Sequence, residues 1–464
     1  MALKDHLSGG NVMEVLKISL PLILASAGHT INLFADRVML ARYSQDAVGA
    51  SFVAGLTSFT LISFFMGTVG YANAFVAQYY GAENHARVGA AVWQGVFLAL
   101  FGGAILAGGW FWAEPLFACF GHAPGVTRQE VAYYQVLSLG AVLPLLQCGL
   151  AVFWSGRGKT MMVMAVNFLV TAINVPCNYL LIYGKQLPGT PFGDLAIPEL
   201  GIAGAAWGTN IAGAAGTLTM LLFFLLPREA REKYGTTARV WDWELFKRLL
   251  RFGTPNGASF FIDIAAFNIY AVILGTFGAA VQEATSIAFA VNSLAFMPII
   301  GIGTTVSVMV GHAVGAANIP QAERSVKSAR LLALSYMALM AVLFVAVPDA
   351  VLWFFVRPDD PEQVAALDYA RKFLLFIAAY LLFDGINIIY NSAIKGAGDT
   401  KFSMWAVVVI CWAFFALPCL LYHWLFPREF WGLWAILVIN VVIYSFTFYF
   451  RYHGGKWKKM RVIE

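Results

Sequence analysis

Three carboxylates lie inside otherwise apolar runs of this 464-residue sequence and away from their ends: Asp36, Asp263 and Asp384. A charge at the centre of a transmembrane helix costs on the order of 2.5–3.5 kcal/mol on insertion scales, so each needs a partner, a water-filled cavity or a bound cation. Asp384 stands in Tyr380-Leu-Leu-Phe-Asp384-Gly-Ile-Asn387-Ile-Ile-Tyr-Asn391. Helical spacing puts Tyr380, Asp384, Asn387 and Asn391 on one face. A carboxylate among amide oxygens suits a hard cation such as sodium, and a ring face adds a cation–π contribution. The competing reading is a packing seam, because Asn side chains also bond across membrane helices. Asp263 completes a two-acid cation site if it meets Asp384.

A second group belongs to the first half of the chain. Asn174 and Asn178 are one helical turn apart in Ala172-Ile-Asn-Val-Pro-Cys-Asn178, with Pro176 between them. Proline frees a backbone carbonyl for polar contact. With Thr209 in the next helix, the two amides are candidates to build a polar pocket for Asp36, binding a proton or an ion. His29 is a further candidate proton carrier, although a lone histidine in a first helix is more often a neutral packing residue. Two lures fail. Gly158-Lys159-Thr160 looks like the end of a phosphate loop, but Phe153 stands where that loop needs glycine. The seven histidines and five cysteines have no zinc spacing. ATP-driven transport and metalloenzyme chemistry are therefore disfavoured, and no cofactor is expected beyond sodium or a proton as coupling ion.

The elements that position these residues must be membrane helices. Sixty per cent of the residues are hydrophobic, 12% are charged and mean hydropathy is +0.72, against about 25% charged in a soluble domain. No polar stretch is long enough to fold as a separate catalytic domain. The net charge of +5 gathers at the ends of hydrophobic runs, as the positive-inside rule requires, and does not indicate nucleic acid. Four of the five cysteines, Cys148, Cys177, Cys411 and Cys419, fall in apolar stretches and form no disulfide framework. Lys4, Lys17 and Ala25-Ser-Ala27 give a passable signal-peptide pattern. Cleavage there would leave an odd number of spans and remove one half of a repeat.

Hydrophobic runs punctuated by Gly, Pro and charge predict twelve helices, near 14–40, 47–79, 89–113, 131–155, 161–183, 201–226, 250–277, 283–313, 328–348, 366–393, 402–425 and 430–451. The connector from Pro227 to Arg251 is rich in Arg and Lys. In a twelve-helix count it shares a side with Arg157 and Lys159, Arg324 and Lys327, Lys395 and Lys401, and the basic tail from Arg451 to Arg461. The alternate connectors, holding Asp194 and Glu199 or Asp349, Asp359, Asp360 and Glu362, are acidic. Both termini are therefore expected in the cytoplasm.

The chain repeats itself. An offset of 234 residues carries Pro21 to Pro255, Val76 to Val310, Gly81 to Gly315 and Asn84 to Asn318, and an offset of 240 carries Gly156-Arg-Gly-Lys-Thr160 to Gly396-Ala-Gly-Asp-Thr400. Two halves of six helices follow. Because six is even, both enter the membrane in the same direction, as parallel repeats. The expected fold is an all-α polytopic membrane protein: residues 1–226 form an N-terminal six-helix lobe, 227–249 a cytoplasmic connector, and 250–464 a C-terminal lobe with a basic tail. By the same offset Asp263 corresponds to His29 and Asp36 to Tyr270, so the two halves carry different polar sites.

The two-repeat plan, Asp36 in the first helix, Asn174-Val-Pro-Cys-Asn178-Tyr-Leu-Leu-Ile-Tyr-Gly184, Pro255 through Asp263, Val310-Gly-His-Ala-Val-Gly315 and Lys395-Gly-Ala-Gly-Asp-Thr400 together resemble the multidrug and toxic compound extrusion family. Within it they look most like the NorM-type branch, over nearly the whole chain. The resemblance implies a V-shaped pair of six-helix lobes that exports small organic cationic or amphipathic drugs in exchange for sodium or protons. Asp36 matches the branch's first-helix aspartate, and Asp384 with Tyr380 its second-lobe cation site. Asp263 stands where that branch usually has glutamate, and Ala284-Thr285-Ser286 stands where Ala-His-Gln is typical. The expectation is a monomeric antiporter of the bacterial inner membrane, not an enzyme. The alternative is a flippase of lipids or lipid-linked glycans, whose pyrophosphate cargo would require basic residues in mid-span. A passive channel would build its pore from several subunits, and a scaffold has little reason to bury three acids.

Overall fold

The computed structural model describes residues 10–190, 193–353 and 363–464. Lys4, Asp359, Asp360 and Glu362 lie outside the described residues, as do the side chains of His29 and Asp194, so the proton-carrier reading of His29 falls outside them too. The chain folds as membrane-spanning helices: α1 (Val12–Tyr43), α2 (Gln45–Gly70 continued by Ala72–Gly81), α3 (His85–Ala107), α4 (Pro124–Leu139 and Val142–Ser155), α5 (Met161–Tyr183), α6 (Gly201–Leu225), α7 (Trp243–Gly275), α8 (Ala279–Gly315), α9 (Ile319–Ala346), α10 (Gln363–Ala397), α11 (Thr400–Cys411 and Leu417–Leu425) and α12 (Trp431–His453). Eleven of the helical stretches among the described residues are long and apolar enough to cross a membrane, and the 32-residue α1 precedes them. This is the twelve-helix, all-α fold that the periodicity predicts.

Three details differ from the helix reading. The α5–α6 connector forms an antiparallel ribbon, β1 (Lys185–Thr190) with β2 (Gly193–Ile197), in which Lys185 pairs with Ile197 and Leu187 with Leu195. Gly184 ends α5 at φ +65°, a conformation that costs a residue with a Cβ. The run read as 131–155 begins about two turns earlier, at Pro124, and breaks at Gly140 and Ala141. In α11, Trp412–Ala416 is a π-turn, placed just before Pro418, which has no N–H to donate to the carbonyl of Phe414.

The repeat is visible in the backbone. Glu83 and Ala317, 234 residues apart, are the two non-glycine residues with positive φ among the described residues, at +57° and +55°. Each precedes an N-cap asparagine, Asn84 before α3 and Asn318 before α9. Gly158 and Gly398, 240 apart, both have positive φ ahead of α5 and α11.

Two compact units result. The first comprises Leu24–Tyr80 and Asn84–Gly257, and the second Ala258–Glu464 with Gly81–Glu83 and the chain up to Ile23. The division thus falls inside α1 and α7. In the first unit α5 packs on α6 and α3 on α4, with small residues letting backbones approach, as membrane packing favours. The basic connector is strapped onto this unit. Its short helix Arg228–Tyr234 buries Tyr234 against Phe153, with ring centroids 5.5 Å apart. Arg157 lies 3.6 Å above the Phe153 ring and 4.5 Å from that of Tyr234, and burial lowers its guanidinium pKa from the usual value. Trp93 Nε1 donates to the Thr236 carbonyl at 2.8 Å, Gln94 Nε2 to Val240 at 3.1 Å, and Arg87 pairs with Asp242.

In the second unit α10 is central, packed on α8, α9 and α12. The core is aromatic: Trp434 stacks on Phe373 at 4.3 Å and on Phe289 at 5.4 Å. Gly81 belongs here because a Cβ would lie 2.0 Å from the His312 carbonyl oxygen. At the far end the chain turns back, burying Trp457, Val462 and Ile463, and Arg451 pairs with Asp399 at 2.6 Å.

Candidate functional site

Within the first unit the structure brings together all four residues expected to form a polar site. Asn178 Nδ2 donates to Asp36 Oδ1, and also lies 3.2 Å from Asn174 Oδ1. Asn174 Nδ2 donates to Thr209 Oγ1 at 3.3 Å, and that hydroxyl donates to the Ala205 carbonyl at 3.0 Å. The two acceptors around Asn178 Nδ2 settle which way its amide points. Asn174 and Asn178 are 2% and 0% exposed, so these bonds form where water does not compete and where an unpaired polar group is expensive.

The amide oxygen of Asn178 is nevertheless left without a hydrogen-bond partner, and so is that of Asn32, one turn before Asp36 on α1. A carboxylate accompanied by uncommitted amide oxygens can accept a proton or a hard cation. The polar face of α5 continues through Thr171, whose hydroxyl donates to the Gly28 carbonyl at 3.2 Å, to Asn167, which accepts from Gln147 at 3.1 Å. The four residues recur at positions 167, 171, 174 and 178, one stripe of a helix. Asn32 and Tyr133, whose phenol lies within electrostatic reach of Asp36, were not singled out from the sequence. Asn32 was legible at i−4 from Asp36; Tyr133, on α4, was not.

Within the second unit the cluster is larger than expected. Asp263 lies within electrostatic reach of Asp384, with no direct contact between the two carboxylates. Tyr380 lies in the field of Asp384, one turn away on α10. Asn387 Nδ2 is 3.4 Å from Asp384 Oδ1, a long bond, and its own Oδ1 is buried without a partner. Asn391 leaves the group and accepts from Ser403 at 2.8 Å. Asp263 takes other partners: Tyr444 donates to its Oδ1 at 2.8 Å and Cys411 at 3.3 Å, while Cys411 and Tyr444 are 3.0 Å apart. Asp384 is 9% exposed, whereas Asp263 stays accessible.

Lys395, grouped by sequence with the connector cations, ends α10 and acts electrostatically on Asp263. Tyr444 and Cys411 carried no signal in the sequence. A tyrosine and a cysteine in apolar runs look like packing, and only the π-turn that begins after Cys411 marks the place. Among the described residues no three His, Cys, Asp or Glu side chains gather as a transition-metal site, and the oxygen-rich donor sets suit sodium or a proton.

The MatE family model matches residues 21–180 and 255–419, one segment in each half. The chain is 27% identical to the probable multidrug resistance protein NorM of Chromobacterium violaceum over 438 residues, covering 93% of this chain and 91% of that one. Among solved structures it resembles a MOP superfamily transporter from Pyrococcus furiosus, with a TM-score of 0.85 and 17% identity over 97% of this chain and 98% of that one. It also resembles MATE in complex with MaL6, with a TM-score of 0.83 and 19% identity over the same shares. At these identities the structural likeness speaks for the fold.

Proposed function

The chain belongs to the MatE family, whose members are membrane transporters and not enzymes, and from that premise we propose that it is a cation-coupled antiporter that exports small organic cationic or amphipathic drugs. The observation that carries the coupling is the buried chain from Asp36 through Asn178 and Asn174 to Thr209. It is a costly arrangement in a membrane helix bundle, and it leaves oxygens free for a proton or sodium. Multidrug export is supported by the relative's name, and the acidic sites suit an exchange of cation for cation.

The Asp263–Asp384 group supplies a second cation site in the other unit, held by Tyr380, Asn387 and Tyr444. A cation arriving there neutralises acids that otherwise repel one another. It shifts the equilibrium between transport states only by its differential affinity for them. For a neutral drug, one coupled cation crossing 100 mV supplies about 2.3 kcal/mol, enough for a roughly fortyfold substrate gradient; for a monovalent cationic drug exchanged one for one the charges cancel, and the coupling ion's concentration gradient alone drives export. The distribution of Arg and Lys supports both termini in the cytoplasm, and the bacterial relatives support placement in the inner membrane.

The test is reconstituted transport of an organic cation, with sodium and pH gradients imposed separately on wild type, Asp36→Asn and Asp384→Asn. Coupling at these sites predicts that each variant loses gradient-driven export while still binding drug. Wild-type rates in both variants would overturn the assignment.

A further inference from the structure

The connector between α6 and α7 leaves a patch of large apolar side chains uncovered on the first unit. Val240 is 62% exposed, Trp241 49% and Trp243 53%. The rings are braced from below. That of Trp241 lies 4.5 Å from Phe246 and 5.3 Å from Phe97 of α3, and Trp243 stacks on Phe246 at 6.0 Å with 14° between the planes. The backbone under them is tied to α3, where Gln94 Nε2 donates to the Val240 carbonyl and Arg87 pairs with Asp242. The free faces of the indoles therefore point away from the protein, and neither indole N–H has a partner among the described residues.

An exposed apolar patch of this kind needs a covering surface, and two observations say which. First, the patch continues a lipid-facing stripe. Phe97, Leu100, Phe101 and Ile105 recur at steps of three and four along one side of α3, a helix long and apolar enough to cross a membrane. The last three are exposed, and Trp241 covers the end of the stripe nearest the connector. Second, the patch has a cationic edge. Lys247 Nζ stands 5.1 Å from the centroid of the Trp243 ring, and the Arg239 guanidinium 5.7 Å from that of Trp93. Both are exposed and neither pairs with a carboxylate among the described residues, while Glu244 is an exposed acid on the same turn. Indoles with free N–H groups beside lysine and arginine heads match the chemistry of the headgroup level of a bilayer. There the rings displace water from the acyl boundary, and the polar tips meet carbonyl and phosphate oxygens.

We propose that Val240, Trp241 and Trp243 are an interfacial anchor, which seats the α6–α7 connector in the headgroup level of the nearer leaflet. The occupant of the patch is the bilayer itself. Because Gln94 and Arg87 join this segment to α3, the anchor fixes the depth of the first unit as well as that of the connector. The inference depends on the membrane-spanning fold and is independent of the antiport reading.

The experiment uses the full-length protein in phosphatidylcholine vesicles, plain or brominated either near the headgroup or near the chain ends. The chain has 14 tryptophans, so the two indoles are read as the emission that Trp241→Phe/Trp243→Phe removes. Bromine near the headgroup should quench that emission about twofold or more, and chain-end bromine or aqueous iodide less. Val240→Cys in a Cys119→Ser background, carrying a nitroxide, repeats the measurement with both indoles in place: oxygen should relax the label faster than a water-soluble nickel complex does. Emission quenched by iodide but not by bromine would put the rings in water. Emission quenched by neither would put them under protein, whether a partner or a second copy, and stronger quenching from the chain ends would put them in the hydrocarbon core. Each of these results, or a label relaxed faster by nickel than by oxygen, would overturn the anchor.

Discussion

The backbone of Gly208 closes directly on the side chain of Asn178: a Cβ at position 208 would lie 1.9 Å from the Asn178 amide oxygen. Helix α6 thus holds from behind the group that holds Asp36. Gly208→Ala is expected to push that amide aside and weaken its bond to the carboxylate without adding or removing a polar group. A hydrogen bond to a charged partner contributes about 1.5–3 kcal/mol, so cation-driven export should fall roughly tenfold to a hundredfold. Transport assays alongside thermal unfolding in detergent check this. A fall in melting temperature with normal coupling would mean that the glycine serves packing alone.

Tyr444 and Cys411 share one oxygen of Asp263, at 2.8 and 3.3 Å. The hydroxyl is the stronger donor and the thiol a weak one. Tyr444→Phe should therefore lower cation-driven transport more than Cys411→Ala, by about tenfold against about twofold. Because the two side chains also touch each other, at 3.0 Å, their effects should be non-additive in a double-mutant cycle. Additive losses would indicate that they reach Asp263 independently.

The sequence exposes a membrane site well when the signal is a charge where charge is expensive. Asp36, Asp263 and Asp384 stand out for that reason, and helical spacing then brings in Asn174, Asn178, Tyr380 and Asn387. Thr209 follows from the neighbouring helix. What stays hidden is the contribution of residues that are unremarkable in an apolar run. Tyr444 and Cys411 come to Asp263 from α12 and α11, over 100 residues away, and no periodicity encodes that meeting. Asn391 shows the converse limit: it shares the face of Asp384 by spacing, yet finds Ser403. The fold was legible because a 3.6-residue apolar pattern and a repeat offset of 234 to 240 residues survive in the sequence. The ribbon at β1 and β2 was not, being short and outside the apolar runs.

Glu83 and Ala317 sit at equivalent turns in the two halves with φ near +55°, where a Cβ costs roughly 1–2 kcal/mol. Glycine removes that strain, while its freer unfolded chain takes back about 0.4–1 kcal/mol. Glu83→Gly and Ala317→Gly should each raise stability by about 1 kcal/mol or less, seen as a higher melting temperature. Lowered stability in both would show that the side chains make contacts worth more than the strain.

Asp242 ties the connector to the first unit at the mouth of α7. Its Oδ1 accepts from the Leu245 amide at 3.0 Å, and its other oxygen pairs with Arg87. The backbone bond from Leu245, with a smaller contribution from Arg87, holds the carboxyl below the usual 3.8. A depressed pKa means that the folded state prefers the anion. This stabilisation is fully present above about pH 4 and is lost as pH falls through the lower folded value. Asp242→Ala should cost about 1–2 kcal/mol at neutral pH, for the lost cap and a partly exposed ion pair. Asp242→Asn keeps the cap and should cost less than about 1 kcal/mol. Hydrogen exchange at Thr236 to Leu245 reads the effect as protection relative to the intrinsic rate at each pH: protection should fall below about pH 4 in wild type, while in Asp242→Ala it should already be low at pH 7. Equal protection in wild type and Asp242→Ala at pH 7 would show that Trp93, Gln94 and Tyr234 hold the connector without help from the aspartate.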